Sequence, residues 1–134
     1  MEGQLILLDT SVLIEYFRKT NKTNSLLHKL SHQYSEFHIS VLTHFEILRG
    51  INEKQQKFWW DILKDIQINS YTPSMNYTAL QIRNELKKKR KSISIEDLII
   101  AATAVHYNRP LATLNESHFN LISTLSLVTP ASLI

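Results

Sequence analysis

Hydrophobic positions along this chain follow two alternating rhythms. Short unbroken apolar runs give way to longer stretches in which apolar residues recur every three or four positions. Leu5–Leu8 is the first unbroken run, the pattern of a strand buried on both faces of a parallel sheet. Residues 11–19 then predict a helix with Val12, Leu13, Tyr16 and Phe17 along one face, and residues 24–34 a second with Leu26, Leu27 and Leu30 inward. Residues 37–40 predict a second strand, and residues 41–50 a helix striped by Val41, Leu42, Phe45 and Leu48. Residues 54–66 predict a helix carrying Phe58, Trp59, Ile62 and Ile66, and residues 65–68 lead into a third strand that ends before Pro73. Residues 74–90 predict a long helix with Met75, Leu80, Ile82 and Leu86 as its apolar positions. Residues 95–107 are apolar nearly all round, which marks a buried helix. Residues 111–113 and 125–128 supply a fourth and a fifth strand.

Strands alternating with helices predict an α/β fold in three layers, a mostly parallel sheet of about five strands covered by helices on both faces. The sequence has 134 residues, an ordinary size for one domain. No internal repeat, low-complexity segment or linker interrupts it, so residues 1–134 are read as a single domain.

Composition narrows the chemistry. There is no cysteine, which excludes disulfides, thiolate metal sites and cysteine nucleophiles and suits a reducing compartment. The two glycines, Gly3 and Gly50, are too few and too scattered for a glycine-rich phosphate loop. No apolar run approaches the roughly 20 residues of a membrane span. The N-terminal MEGQLILLDTS has no basic region and no cleavage signature, so a mature start and a cytoplasmic location are expected. The net charge of +3 leans toward an anionic partner. The one charge block, residues 87–91, reads first as a solvated helix end, where cations suit the helix dipole. Its second reading is a contact for a phosphate backbone.

In an open parallel sheet the functional crevice lies beyond the carboxyl ends of the strands. Asp9 follows the first strand, Glu46 lies in the helix after the second, Asp97 opens the buried helix before the fourth, and Asn115 comes two residues after Thr113. Each has a structural reading too. Asp9, Thr10 or Ser11 can cap the first helix, Asp97 can complete a capping box begun by Ser94, and Asn115 can be a turn residue. Glu46, between Phe45 and Ile47, is costly if buried without a partner. Acids gathered at one sheet edge suggest a site for a hard cation, since Mg²⁺ and Mn²⁺ take oxygen ligands. The six histidines (His28, His32, His38, His44, His106 and His118) show no zinc-hydrolase spacing.

The stretches LLDTSVLIEYF at 7–17, ISVLTHFEILRGI at 39–51, SIEDLIIAATAVHYNRPLATLNESHF at 94–119 and the final LSLVTPASLI together resemble the PIN-domain family, most closely its VapC-type toxins of toxin–antitoxin pairs. The resemblance spans essentially the whole chain. It implies a parallel α/β sheet, a pocket for Mg²⁺ or Mn²⁺, and endonucleolytic cleavage of RNA by metal-activated water to leave 5′-phosphate and 3′-hydroxyl ends. It assigns the catalytic and metal-binding acids to Asp9, Glu46 and Asp97 and polar supports to Thr10, Ser11 and Thr113. The fourth metal position falls on Asn115, which offers a carbonyl oxygen but no charge, with Glu116 adjacent. The resemblance also implies an antitoxin protein partner and a homodimer or hetero-oligomer. Two other readings stand beside it: a non-catalytic PIN-like module that binds RNA or protein, and a PIN nuclease serving RNA processing. An aspartyl-phosphate phosphatase would need a second acid where Ser11 stands. Of the adjacent Trp59 and Trp60, one is expected in the core and the other at an interface.

Overall fold

The computed structural model describes residues 4–133. Five strands, β1 (Leu5–Leu8), β2 (Glu36–Ser40), β3 (Gln67–Asn69), β4 (Leu111–Ala112) and β5 (Leu127–Val128), form one sheet in the order β3-β2-β1-β4-β5. Every neighbouring pair is parallel, as the alternation of strands and helices predicts. The chain adds strands outward from β1 to β3, then crosses back to place β4 on the other side of β1. The order therefore reverses between β1 and β4.

β1 shows why its run is unbroken. Ile6 and Leu8 point into a core shared with Val12, Leu13, Leu30, Ile47 and Trp59. Leu7 points the other way, into a core with Ile82, Leu86, Ile100, Ala101 and Phe119. A strand buried on both faces has no position left for a polar residue. The helices α1 (Thr10–Arg18), α2 (Leu26–Leu30), α3 (Val41–Gly50) and α4 (Gln56–Leu63) supply the first core. The helices α5 (Met75–Lys88), α6 (Ile95–His106) and α7 (Glu116–Phe119) supply the second.

Four details depart from the sequence reading. The helix expected over 24–34 is a short 3₁₀ turn at Lys22–Asn24 followed by α2, because Ser25 accepts a hydrogen bond from the His28 N–H and starts a new helix there. The helix expected over 54–66 likewise divides into a 3₁₀ turn, Glu53–Gln55, and α4. The apolar stripe read on α3 faces outward: Val41, Phe45 and Leu48 are exposed, while Thr43 and Ile47 are buried. On α5, Leu80 is exposed and Ala79 takes the inward place. α6 presents Ala101, Ala102 and Ala104 to the same core, and small residues on both helices let them approach closely.

Trp59 is the core member of its pair, 3% exposed and stacked 5.3 Å from Phe17, whereas Trp60 is 50% exposed.

Candidate active site

The reversal of strand order between β1 and β4 opens the sheet's carboxyl edge into the crevice where α/β proteins bind ligands. Asp9 follows β1 at that point. It is the N-cap of α1, with extended backbone and Oδ1 accepting the Thr10 N–H at 2.9 Å. The capping reading of Asp9 is therefore correct, and it accounts for only one of the two carboxylate oxygens.

Oδ2 holds the other half of the site. It accepts the hydroxyls of Ser11 and Thr113, both at 2.8 Å. Each hydroxyl also accepts a backbone N–H from the loop after β4: Leu114 N–H reaches Ser11 Oγ at 3.2 Å, and Asn115 N–H reaches Thr113 Oγ1 at 2.9 Å. Two relays thus run from the β4–α7 loop through a hydroxyl to one carboxylate oxygen. The carboxylate fixes the loop, and the loop fixes the carboxylate.

Asp9 is 4% exposed. Burial pushes its carboxyl above the usual aspartate range, and the nearby charge of Asp97 pushes the same way. The hydrogen bonds from Thr113, Ser11 and Thr10 pull it down without offsetting the burial.

Glu46 reaches the crevice from α3. Its Oε1 accepts the Thr10 hydroxyl at 2.7 Å. Thr10 Oγ1 also lies 3.0 Å from Thr43 Oγ1. One hydroxyl has one proton, so with that proton on Glu46 the Thr43 hydroxyl donates to Thr10. Thr43 is fully buried, and its N–H is capped by Ser40 Oγ at 3.0 Å. This buried polar column explains why the inward face of α3 is not its most apolar one.

Asp97 enters from the first turn of α6, where Ser94 caps its N–H at 3.1 Å. Its Oδ2 lies 2.9 Å from His118 Nδ1. His118 has no place in the sequence-derived set; the spacing of a lone histidine in a short helix carries no signal for this contact. Asn115 begins α7 without a side-chain cap bond and is exposed. With Ser11, Arg18 and Lys19 it lines a groove of about 400 Å³.

Thr10, Ser11 and Thr113 are thus joined to Asp9 and Glu46 by direct hydrogen bonds. The three acids do not close into one cluster: among the described residues, no three His, Cys, Asp or Glu side chains converge closely enough to hold a metal ion as they stand. Glu46 is turned to Thr10 and Asp97 to His118.

The family model for the PIN domain matches residues 6–123. This chain belongs to the PIN-domain family. The PIN chain is 35% identical over 127 residues to a protein of Methanocaldococcus jannaschii called Ribonuclease VapC1, covering 94% of this chain and 87% of that one. It is 29% identical over 141 residues to Ribonuclease VapC1 of Rickettsia felis, covering 95% and 97%. In fold, this PIN domain is similar to a chain of the DNA-bound VapBC of Salmonella typhimurium, with a TM-score of 0.82 at 19% identity, covering 95% of this chain and 98% of that one. A toxin–antitoxin complex from Klebsiella pneumoniae contains a chain similar to it at a TM-score of 0.75 and 25% identity, covering 93% and 97%.

The relay through Thr113 gives a first prediction. Thr113→Val keeps the shape of a fully buried residue but removes the donor to Asp9 and the acceptor for the Asn115 N–H. Leaving such groups unpaired is expected to lower stability by about 1–3 kcal/mol, read from urea unfolding. The Asp9 carboxyl is expected to titrate still higher, which a carbon-detected NMR titration of the side chain would follow.

Proposed function

We propose that this chain is a Mg²⁺- or Mn²⁺-dependent endoribonuclease, the toxin of a VapBC-type toxin–antitoxin pair. One observation carries the reading. A buried, hydrogen-bonded Asp9 stands beside Asp97 at the strand-order switch, in a chain 35% identical across 94% of its length to a protein called Ribonuclease VapC1.

The donor set fits a hard cation. Asp9, Asp97 and Glu46 would hold the ion, with the Asn115 carbonyl oxygen as an uncharged fourth ligand; all are oxygen donors. The raised pKa of Asp9 is what crowded, desolvated carboxylates show before a cation relieves them. When bound, the ion would supply Lewis acidity, making water acidic enough to act near neutral pH and offsetting charge on the phosphoryl oxygens.

The chain's own residues do the positioning. Ser11 and Thr113 hold Asp9 Oδ2, Thr10 holds Glu46, and His118 holds Asp97. In-line attack of water on the scissile phosphate would leave 5′-phosphate and 3′-hydroxyl ends. The antitoxin is the expected protein partner, and the exposed Trp60 on α4 is expected to contribute to the surface that meets it or a second copy of the chain. Among the described residues no helix is long and apolar enough to cross a membrane; we place the activity in the cytoplasm.

The test is a map of 5′-monophosphate RNA ends after brief expression of the wild type and of Asp97→Asn. New ends at a few sites with the wild type alone would support the nuclease. Identical maps would leave a binding module as the better reading.

A further inference from the structure

The basic block at residues 87–91 does not act as one unit. α5 ends at Lys88 with Lys89 as its C-cap, and Arg90 takes a left-handed conformation at φ 58°. The Lys91 N–H turns back to the Leu86 carbonyl at 2.9 Å, closing the helix. Lys89 is spent on structure: its Nζ donates to Glu85 at 3.2 Å and to the Leu121 carbonyl at 2.6 Å. Lys91 falls on a different path. With Arg83, Lys87, Ser92 and Ile93 it lines a groove of about 350 Å³. Arg83 and Lys87 are one turn apart on the same face of α5, about 6 Å along the axis.

This groove adjoins a second, with which it shares three lining residues. Lys91, Ser92 and Ile93 also line a groove of about 510 Å³ together with Asp97, Ser117, His118 and Asn120. Lys91, Ser92 and Ile93 therefore form a wall common to the groove of Arg83 and Lys87 and the groove of Asp97. Among the described residues, Asp97 is the only acid lining either groove. Among the described residues, Arg83, Lys87 and Lys91 make no ion pair and their side chains take part in no hydrogen bond; all three are exposed.

We propose that Arg83, Lys87 and Lys91 form a track that holds the phosphates of the RNA strand on one side of the cleavage site. The inference rests on the nuclease reading above. A solvated helix end accounts for Lys88 and Arg90, but not for three unpaired cations on one groove that shares the wall Lys91, Ser92 and Ile93 with the groove of Asp97. A polyanion fits that charge pattern. Ser92, Ser117 and Asn120 add hydroxyl and amide groups to the groove of Asp97, suited to phosphate oxygens and to 2′-hydroxyls. The structure thus favours the second of the two readings of the block, for Lys87 and Lys91 together with Arg83.

The experiment compares Arg83→Gln/Lys87→Gln/Lys91→Gln with a control of equal charge change, Lys54→Gln/Lys57→Gln/Lys64→Gln. The control lysines are exposed and lie in or beside α4, on the opposite face of the sheet. Binding of a fluorescein-labelled single-stranded RNA is measured by anisotropy across a salt series, with Asp9→Asn added to every chain so that no cleavage occurs. The track variant is expected to lose about tenfold in affinity at low salt and to flatten the slope of log K against log salt by about 2, three phosphate contacts at roughly 0.7 each. The control keeps both. Without Asp9→Asn, the track variant is expected to raise KM more than it lowers kcat, and circular dichroism to show an intact fold. Equal losses in track and control variants would overturn the track, since only net charge would matter. An unchanged slope in a track variant that still binds RNA, with a wild type that cleaves, would also overturn it and leave the nuclease reading standing. A wild type that neither binds nor cleaves RNA would sink both.

Discussion

Asp9→Asn is expected to lower RNA cleavage by more than about a hundredfold while leaving the chain folded. Losing a group that only supports a ligand typically costs 10–100-fold, and Asp9 is proposed as a ligand itself. Asn keeps the side chain's shape and can still accept the Thr10 N–H. It cannot accept both the Ser11 and Thr113 hydroxyls at the second position, where it carries an NH₂ group. The same variant carries a pH signature. Because burial raises the folded-state pKa of Asp9, the folded chain binds a proton that the unfolded chain lacks, in the window between the unfolded value and the raised one. The ionised carboxylate costs stability at neutral pH, and that cost falls away as the pH drops through the folded pKa. The difference in melting temperature, wild type minus Asp9→Asn, is therefore expected to move in favour of the wild type as the medium is acidified. A flat difference would mean that Asp9 is not strained by burial.

Cations supply an independent arm of the same prediction. An ion that binds only the folded chain raises its melting temperature by mass action. Millimolar Mg²⁺ or Mn²⁺ is expected to raise the melting temperature of the wild type near neutral pH and to leave that of Asp9→Asn nearly unmoved. Equal shifts in both would point to binding away from the crevice. The inorganic readout does not depend on knowing the RNA target.

How far the sequence reveals this molecule depends on what kind of residue decides each feature. The sheet is legible because β1 is buried on both faces, and burial on both faces writes itself as an unbroken apolar run. The helix spanning Val41–Gly50 is legible in extent, but its orientation is not. Periodicity assumes that inward means apolar, whereas here Thr43 is buried and Glu46 is half-buried and bonded to Thr10. The rule fails where polar residues are placed inward for a site. The acids are legible by their position after strands. The relays from Leu114 and Asn115 through hydroxyls to Asp9 are not, because they join residues more than a hundred positions apart through backbone N–H groups that every residue has. The same limit hides the His118–Asp97 contact and the division of labour among the lysines. A run of like charges looks uniform until a helix end splits it.

Phe119→Ala is expected to be the most damaging single change in the framework around the site. Among the described residues Phe119 is the largest fully buried side chain, at 0% exposure, and it sits in the core under α5 and α6. Removing its ring is expected to cost about 3–5 kcal/mol, a large share of the roughly 5–15 kcal/mol that holds a domain folded. The cost has a functional edge because of where the ring is mounted. α7 has four residues, far too few to be stable alone, so tertiary packing through Phe119 holds it in place. The adjacent His118 depends on that anchor to keep its Nδ1 2.9 Å from Asp97. Urea unfolding is expected to show a lower midpoint with an unchanged m value. Phe119→Leu, which keeps most of the apolar contact, is expected to lose about 1–2 kcal/mol and to remain folded at the assay temperature. If α7 positions Asp97, the leucine variant will cleave RNA more slowly and bind Mg²⁺ more weakly while still folded. If it only seals the core, stability will fall while cleavage and Mg²⁺ affinity stay at wild-type levels.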